Sequence, residues 1–282
     1  MIDLHQHSTF SDGTDDIVTL VKKNKALGIK YMSVTDHDNI QSAKALLGGE
    51  TSFGIKYVTG IEFSTEFEGE SIHLLAYGYR KNGKVINSLV RKSKELRLKR
   101  IKDRIDILKN EFDIVLSKEE LEIIEQSDNP NKPLLANILI SRGLGENITE
   151  VIKKYLYHKM PENKLNTEYV IKELAKANII SVYAHPLGGV GEKRVERNTF
   201  ERRVEAFAQC GLSGIECYYS LYNTEEQNYL INYATTHNLL ISGGSDYHGK
   251  NKTVQIGELS NYNFSPKKND LTIAKRLKFK SI

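Results

Sequence analysis

The chain has 282 residues, 39% of them hydrophobic and 27% charged, the balance of a globular protein with one large or two smaller domains rather than a disordered one. A net charge of +4 is too weak by itself to argue for a nucleic-acid partner, and two cysteines make no disulfide framework and fit a reducing compartment. No apolar run approaches a membrane span, and the start lacks the basic head and apolar core of a cleavable signal, so a cytoplasmic protein without membrane contact is expected.

The first stretch, Ile2 to Gly13, sets the pattern. Ile2 and Leu4 alternate with Asp3 and His5 as in a short strand, and residues i and i+2 of a strand share a side. His5 and His7 can therefore aim two nitrogens at one cation, and the Ser11-Asp12-Gly13 turn returns an oxygen toward them. Such a mixed set suits Zn, Mn or Fe better than calcium; taken alone, it can also be a surface pair. A helix follows from Ile17 to Leu27, opened by Asp15 and Asp16 and closed by Gly28. Strands are expected at Tyr31 to Thr35, running into Asp36-His37-Asp38, at Tyr57 to Ile61, ending on Glu62, and at Ile72 to Tyr79, with His73 near its start. Polar residues gather at strand ends, as in parallel sheets and barrels whose sites lie at the C-terminal ends of the strands.

From Asn82-Gly83 the rhythm changes. A long helix is predicted over Val85 to Phe112, with a basic face at 88–104 that reads as a solvated surface. Ser117 and Glu120 form a capping box for a helix to Gln126. A loop at Asp128 to Pro133, a helix at Leu134 to Ser141 and another at Thr149 to Tyr157 complete an all-helical insertion over residues 86–162. The barrel rhythm, carried by 1–85, resumes over 163–282. A helix capped by Thr167 leads to a strand, Ile179 to Ala184, that ends on His185. A glycine-rich basic loop, a helix from Phe200, a strand at Gly214 to Cys217 and a helix at Thr224 to His237 come next. The strand Leu239 to Ser242 runs into Gly243-Gly244-Ser245-Asp246-Tyr247-His248, and the basic tail, Lys267 to Lys280, reads as a last helix. About seven barrel strands result.

Five of the eight histidines, His5, His7, His37, His185 and His248, directly follow a predicted strand or its turn. With Asp12, Glu62 and Asp246 they give more donors than one tetrahedral zinc site uses, and no cysteine. The set suits two or three cations, with a carboxylate such as Glu62 bridging; paired cations clamp the attacking and leaving oxygens of a displacement at phosphorus.

His5-Gln6-His7, Asp12, Thr35-Asp36-His37, Gly60-Ile61-Glu62, Ala184-His185-Pro186 and Ser245-Asp246-Tyr247-His248, in this order, resemble the motifs of the PHP (polymerase and histidinol phosphatase) phosphoesterases. The resemblance implies an α/β fold, a distorted (β/α)7 TIM-like barrel, with the helical insertion over the active site and two to three divalent metal ions (Mn, Fe or Zn). It assigns His5, His7, Glu62 and Asp246 to one metal, Glu62, His73 and His185 to a second, and Asp12, His37 and His248 to a third. Asp12, His37, Glu62, Asp246 and His248 are then catalytic, and Asp36 fixes the tautomer of His37. Spacing and insertion resemble the subgroup that removes the 3′-phosphate from nucleoside 3′,5′-bisphosphates, some members trimming RNA or short oligonucleotides from the 5′ end. Leu134 stands where that subgroup's insertion helix carries a histidine.

The implied mechanism is in-line attack by a metal-activated hydroxide, with the cations offsetting charge on the non-bridging oxygens. A second substrate phosphate needs another cationic contact, and Lys193, Arg194 and Arg197 are the candidates because Arg offers a bidentate fork. The alternatives are a histidinol-phosphate phosphatase, an amidohydrolase, which also begins with His-x-His but adds a mid-barrel lysine, and a non-catalytic metal-stabilised nucleic-acid-binding domain. His158 and His237 read as ordinary surface or partly buried residues, Tyr218, Tyr219 and Tyr222 as barrel-rim packing, and Gly243-Gly244 as a close approach of the backbone to the metals or a turn.

Overall fold

A computed structural model of the chain describes residues 1–48, 53–127, 130–158, 164–260 and 266–282. They fall into two compact units, Met1–Leu89 with Asn166–Ile282, and Val90–Leu165. The first unit begins with β1 (Ile2–Asp3), α1 (Ile17–Ala26), β2 (Tyr31–Met32), α2 (Gln41–Gly48), β3 (Lys56–Tyr57), β4 (Gly60–Phe67) and β5 (Glu70–Tyr77). Helix α3 (Lys84–Phe112) leads out of it, and α4 (Lys118–Gln126), α5 (Lys132–Ser141) and α6 (Ile148–Val151), continued by a π-turn at Ile152–Leu156, follow. The chain returns through β6 (Leu165–Asn166), α7 (Thr167–Lys176), β7 (Ile180–Tyr183), α8 (Arg197–Gln209), β8 (Gly214–Tyr219), α9 (Thr224–Thr236), β9 (Leu240–Gly244), a 3₁₀ turn at Thr272–Lys275 and β10 (Lys280–Ser281).

The strands make a closed, irregular barrel. β1, β2 and β3 pair in parallel, and β7, β8 and β9 do the same. The first set joins the second where Leu4 N–H donates to the Gly243 carbonyl (3.3 Å) and Gln6 bridges Tyr247, and it joins β4 where His37 bridges Glu62. β5 departs from the expected parallel order: it runs antiparallel to β4 on one side and to β7 on the other. The reason is local. Glu68-Gly69, both in the left-handed region, turn the chain directly back, and so short a loop permits only an antiparallel neighbour.

The helices start where their caps are. Asp16 accepts from the Val18 and Thr19 amides at the head of α1 (2.9 and 3.0 Å), and Asn223 and Glu226 form a capping box for α9. Asn166, not Thr167, caps α7, because the Asn166 side chain accepts from the Tyr169 amide (2.9 Å). The tail is not the expected helix: after its 3₁₀ turn the chain extends and pairs antiparallel with β3. The helix expected over Thr149 to Tyr157 is α6 plus the π-turn.

The second unit contains no strand among its described residues before β6, and has its own core of Ile101, Leu108, Leu135, Leu139, Val151 and Leu156. Part of the loop expected at Asp128 to Pro133, and the expected boundary at 162–163, lie outside the described residues. Among the described residues no helix is long and apolar enough to cross a membrane.

Candidate metal centre

At one end of the barrel, the exits of β1, β2, β7 and β9 deliver His5 and His7, His37, His185, and Asp246 with His248. Glu62 lies inside β4 rather than at its end, and it reaches the site because the bridge to His37 fixes it at the rim. His73 arrives from the other direction. β5 is antiparallel to β7, so its first half lies beside the ends of the parallel strands, and His73 sits opposite Ser64. His185 and Asp246 both adopt positive φ, 28° and 59°. Non-glycine residues take that conformation only where the surroundings demand it, and such residues cluster at functional sites.

Three donor groups result, joined by shared residues. His73 Nδ1, His185 Nε2 and Glu62 Oε1 stand 3.2 Å from one another in all three pairings. Ligands held about 2.1 Å from one cation are roughly 3.0–3.5 Å apart, so this triangle has the dimensions of a coordination face. Glu62 Oε2 turns the other way, to His7 Nε2 (3.0 Å) and His5 Nε2 (3.2 Å), and Asp246 Oδ1 lies 3.4 and 3.5 Å from the same two nitrogens. In the third group Asp12 faces His248 Nε2 (3.3 Å), His7 Nδ1 (3.4 Å) and His37 Nε2 (3.7 Å).

The chemistry of the set fits divalent cations. His7 Nε2 is buried 3.0 Å from a carboxylate oxygen, yet makes no hydrogen bond; the lone pairs converge on a common point instead. Six imidazoles crowd together, the His7 and His248 rings stacked with centroids 4.0 Å apart. Second partners then set the tautomers. His5 Nδ1 is 3.0 Å from buried Glu216, and His248 Nδ1 donates to the Asp246 carbonyl (2.8 Å). Each leaves Nε2 directed at the centre, the usual arrangement of metal-ligating histidine.

Charge follows from these contacts. Burial pulls the His5 imidazole down, but Glu216, Glu62 and Asp246 outweigh it and hold it at about 9. His7 and His185 are likewise raised against burial, chiefly by Asp12 and by Glu192 respectively. Burial drives His37 down to about 3 and lowers His248. Burial opposes ionisation of Asp12, Glu62 and Asp246, yet the facing imidazoles, and Lys252 for Asp246, hold all three well below the usual carboxylate range.

Four expectations change. Asp36 does not touch His37. It accepts from the Ser8 amide (2.8 Å) and from the Ser8 and Ser11 hydroxyls, so it fixes the turn that carries Asp12, while His37 Nδ1 faces Ser64 Oγ and Glu62 (3.4 Å each). Arg194 donates to the Gly188 carbonyl (3.3 Å) and pairs with Glu226. Arg197 lies in the first turn of α8, not in the loop, and pairs with Glu225 (2.6 Å). Both acids open α9, whose positive helix end favours them. Lys193 and Arg194 line a cavity of about 600 Å³ with His73, His185 and Arg202, and Arg197 is not among its lining residues. Tyr219 does more than pack: its hydroxyl donates to Asp246 Oδ2 (2.8 Å) and accepts from the Val190 amide (3.0 Å).

Sequence reasoning missed Glu216, Lys252 and Glu192. Glu216 is fully buried, accepting from the His185 amide (2.8 Å) as well as contacting His5; the signal was a lone acid inside an apolar strand. Lys252 reaches Asp246 Oδ2 (2.6 Å) from a turn, with no signal in the sequence. His158 pairs with Glu111 (2.9 Å) and His237 stacks on Tyr233, and neither belongs to these donor groups.

The PHP domain model matches residues 3–209. A 5′-3′ exoribonuclease of Haemophilus influenzae is 26% identical over 91% of this chain and 93% of its own. A phosphoribosyl 1,2-cyclic phosphate 1,2-diphosphodiesterase of Eggerthella lenta is 25% identical (88% and 94%). A 3′,5′-nucleoside bisphosphate phosphatase of Chromobacterium violaceum is 24% identical (88% and 87%). Among solved structures, a protein of Bifidobacterium adolescentis assigned as a metal-dependent phosphoesterase superposes with a TM-score of 0.74 at 26% identity, over 92% of this chain and 91% of its own. The chain belongs to the PHP domain family and is a hydrolase of the metal-dependent phosphoesterase kind.

Proposed function

We propose that the chain hydrolyses phosphomonoesters of nucleotides, a nucleoside 3′,5′-bisphosphate first and short oligonucleotides second. The observation that carries the reading is the joining of three donor groups through Glu62 and His7, an arrangement suited to cations close enough to share one phosphoryl group. The names of the relatives support the nucleotide part. His5, His7, Glu62 and Asp246 would hold one cation, Glu62, His73 and His185 a second, and Asp12, His37 and His248 a third. Mn, Fe and Zn all suit these donors. Bound there, divalent cations supply Lewis acidity to the attacking water and to the phosphoryl oxygens.

The chain's own groups then do the rest. Glu62 and Asp246 stay ionised, set beside imidazoles that hold them so. Asp12 is the most exposed of the three carboxylates, with 35% of its side chain accessible, and, kept ionised by the facing imidazoles, can accept a hydrogen bond from the water. Lys193, which lines the cavity and has no ion pair among the described residues, is the first candidate for the second substrate phosphate, and Arg194 joins it only by leaving Glu226.

The test is phosphate release by Mn²⁺-loaded protein from a nucleoside 3′,5′-bisphosphate, beside histidinol phosphate, a 5′-phosphorylated oligonucleotide and a five-membered cyclic ribose phosphate. Fastest release from the bisphosphate is expected, and Asp246→Ala is expected to lose more than about 100-fold, beyond the loss of an outer partner. Turnover of only the cyclic ester moves the activity to the Eggerthella type. Tight binding of 5′-phosphorylated RNA without turnover by metal-loaded protein overturns the enzymatic reading of this substrate class.

A further inference from the structure

Glu192 lies in the loop between β7 and α8, outside the nine donors already placed. Its carboxylate Oε2 is 3.1 Å from His185 Nδ1, and Oε1 is 3.6 Å from His73 Nδ1. The other ring nitrogen of His185 is the one in the 3.2 Å triangle with His73 and Glu62. An imidazole has one proton to place when neutral. A carboxylate at Nδ1 takes that proton in a hydrogen bond and leaves the Nε2 lone pair for a cation. His5 is served in this way by Glu216, and His248 by a carbonyl; among the described residues His185 would otherwise lack such a partner, since Glu216 meets its main chain rather than its ring.

The loop is built to bring this carboxylate in. Gly188 and Gly191 have φ of 98° and 77°, values that favour glycine. Gly189 is held by its amide, which donates to Glu192 Oε2 (2.8 Å). A Cβ on Gly189 would stand 3.0 Å from His185 Nδ1 and 3.2 Å from Glu192 Oε2, so a side chain there would push between the pair. The Val190 amide donates to Tyr219, the residue that also holds Asp246. Unlike Glu216, which is fully buried, the Glu192 side chain is 38% exposed and depends on the loop for its place.

We propose that Glu192 is a positioning residue: it orients His185 through Nδ1 and thereby ties the 188–192 loop to the cation site formed by Glu62, His73 and His185. The proposal rests on the metal-centre reading above. It gives His185 an orienting carboxylate from a loop, where His5 takes its own from β8 and His248 a carbonyl from its own turn.

The experiment compares wild type, Glu192→Ala and Glu192→Gln for Mn²⁺ stoichiometry by elemental analysis and affinity by chelator competition, with metal-free Tm as the folding control. Glu192→Ala is expected to weaken one equivalent of Mn²⁺ by about 10–100-fold, the range for loss of an outer partner of a ligating histidine, with metal-free Tm within a degree or two of wild type. Glu192→Gln, whose amide oxygen still accepts from Nδ1–H, is expected to remain within about threefold of wild type. Wild-type affinity for every equivalent in Glu192→Ala overturns the proposal alone. Equal weakening in Ala and Gln makes Glu192 a direct ligand and also overturns it. A wild-type protein that binds no Mn²⁺ overturns the metal-centre reading itself, and the proposal with it.

Discussion

His5 shows how one buried residue sets the conditions for the whole centre. Its ring is enclosed between Glu216 on Nδ1 and Glu62 on Nε2, both carboxylates buried. Burial alone would strip its proton, but the acids hold it to about 9. Two consequences have opposite signs. In the metal-free fold a raised imidazole adds stability that is complete below its unfolded value near 6.5 and is lost as pH rises through about 9. Metal-free Tm is therefore expected to fall between pH 6.5 and 9. A cation needs the neutral ring, so Mn²⁺ binding displaces the proton and tightens about tenfold per pH unit for each proton displaced, up to about 9. Chelator competition at pH 7 and pH 8 measures this, and equal affinities at the two values would contradict the charge assignment.

At the scale of elements, the site depends on β9 lying against β1. Gly244 ends β9, and a Cβ there would fall within 2.7 Å of His5 Cα. Gly243-Gly244 lie within β9 rather than in a turn, and the close approach they make there is of β9 to its neighbouring strands. Gly244→Ala is expected to drive β9 away from β1, moving Asp246 and His248 relative to His5 and His7. Overpacking of this kind costs about 1–3 kcal/mol. The expected readings are a lower metal-free Tm and a loss of Mn²⁺ equivalents, whereas retention of both would show that the barrel seam relaxes without cost. The antiparallel β4–β5 hairpin is the other such element. It brings His73 to the rim from mid-strand, a placement that spacing along the chain does not encode.

For the molecule as a whole, the centre is a cluster of ionisable groups from six strands or strand exits, which cations bind far better folded than unfolded. Ligands that bind only the folded form stabilise it by about 2.7 kcal/mol at 100 times Kd. For a chain of this size that corresponds to a rise in Tm of about 5 °C per tightly held cation. Melting with and without Mn²⁺, after stripping with chelator, is the measurement. An unchanged Tm at saturating Mn²⁺ would mean that the imidazoles and carboxylates serve each other and not a cation.

The donor types, the order of motifs, the helix starts at Asp16, Ser117 and Thr224, and the helical interruption between β5 and β6 are legible in the chain. These are local matters: period, caps and the residue types that ligate metals. That His73 joins Glu62 and His185 follows from packing alone, because strand direction governs which half of β5 faces the centre. Packing likewise withdrew Arg197 from the cavity by pairing it with Glu225, gave Asp36 to the Ser8 turn instead of His37, and folded the tail onto β3. Glu192 lies seven residues from His185, Lys252 six from Asp246 and Glu216 211 from His5, with no periodic signal in any of the three. A charged group's partner is set by proximity in space, and the chain carries no local mark of it.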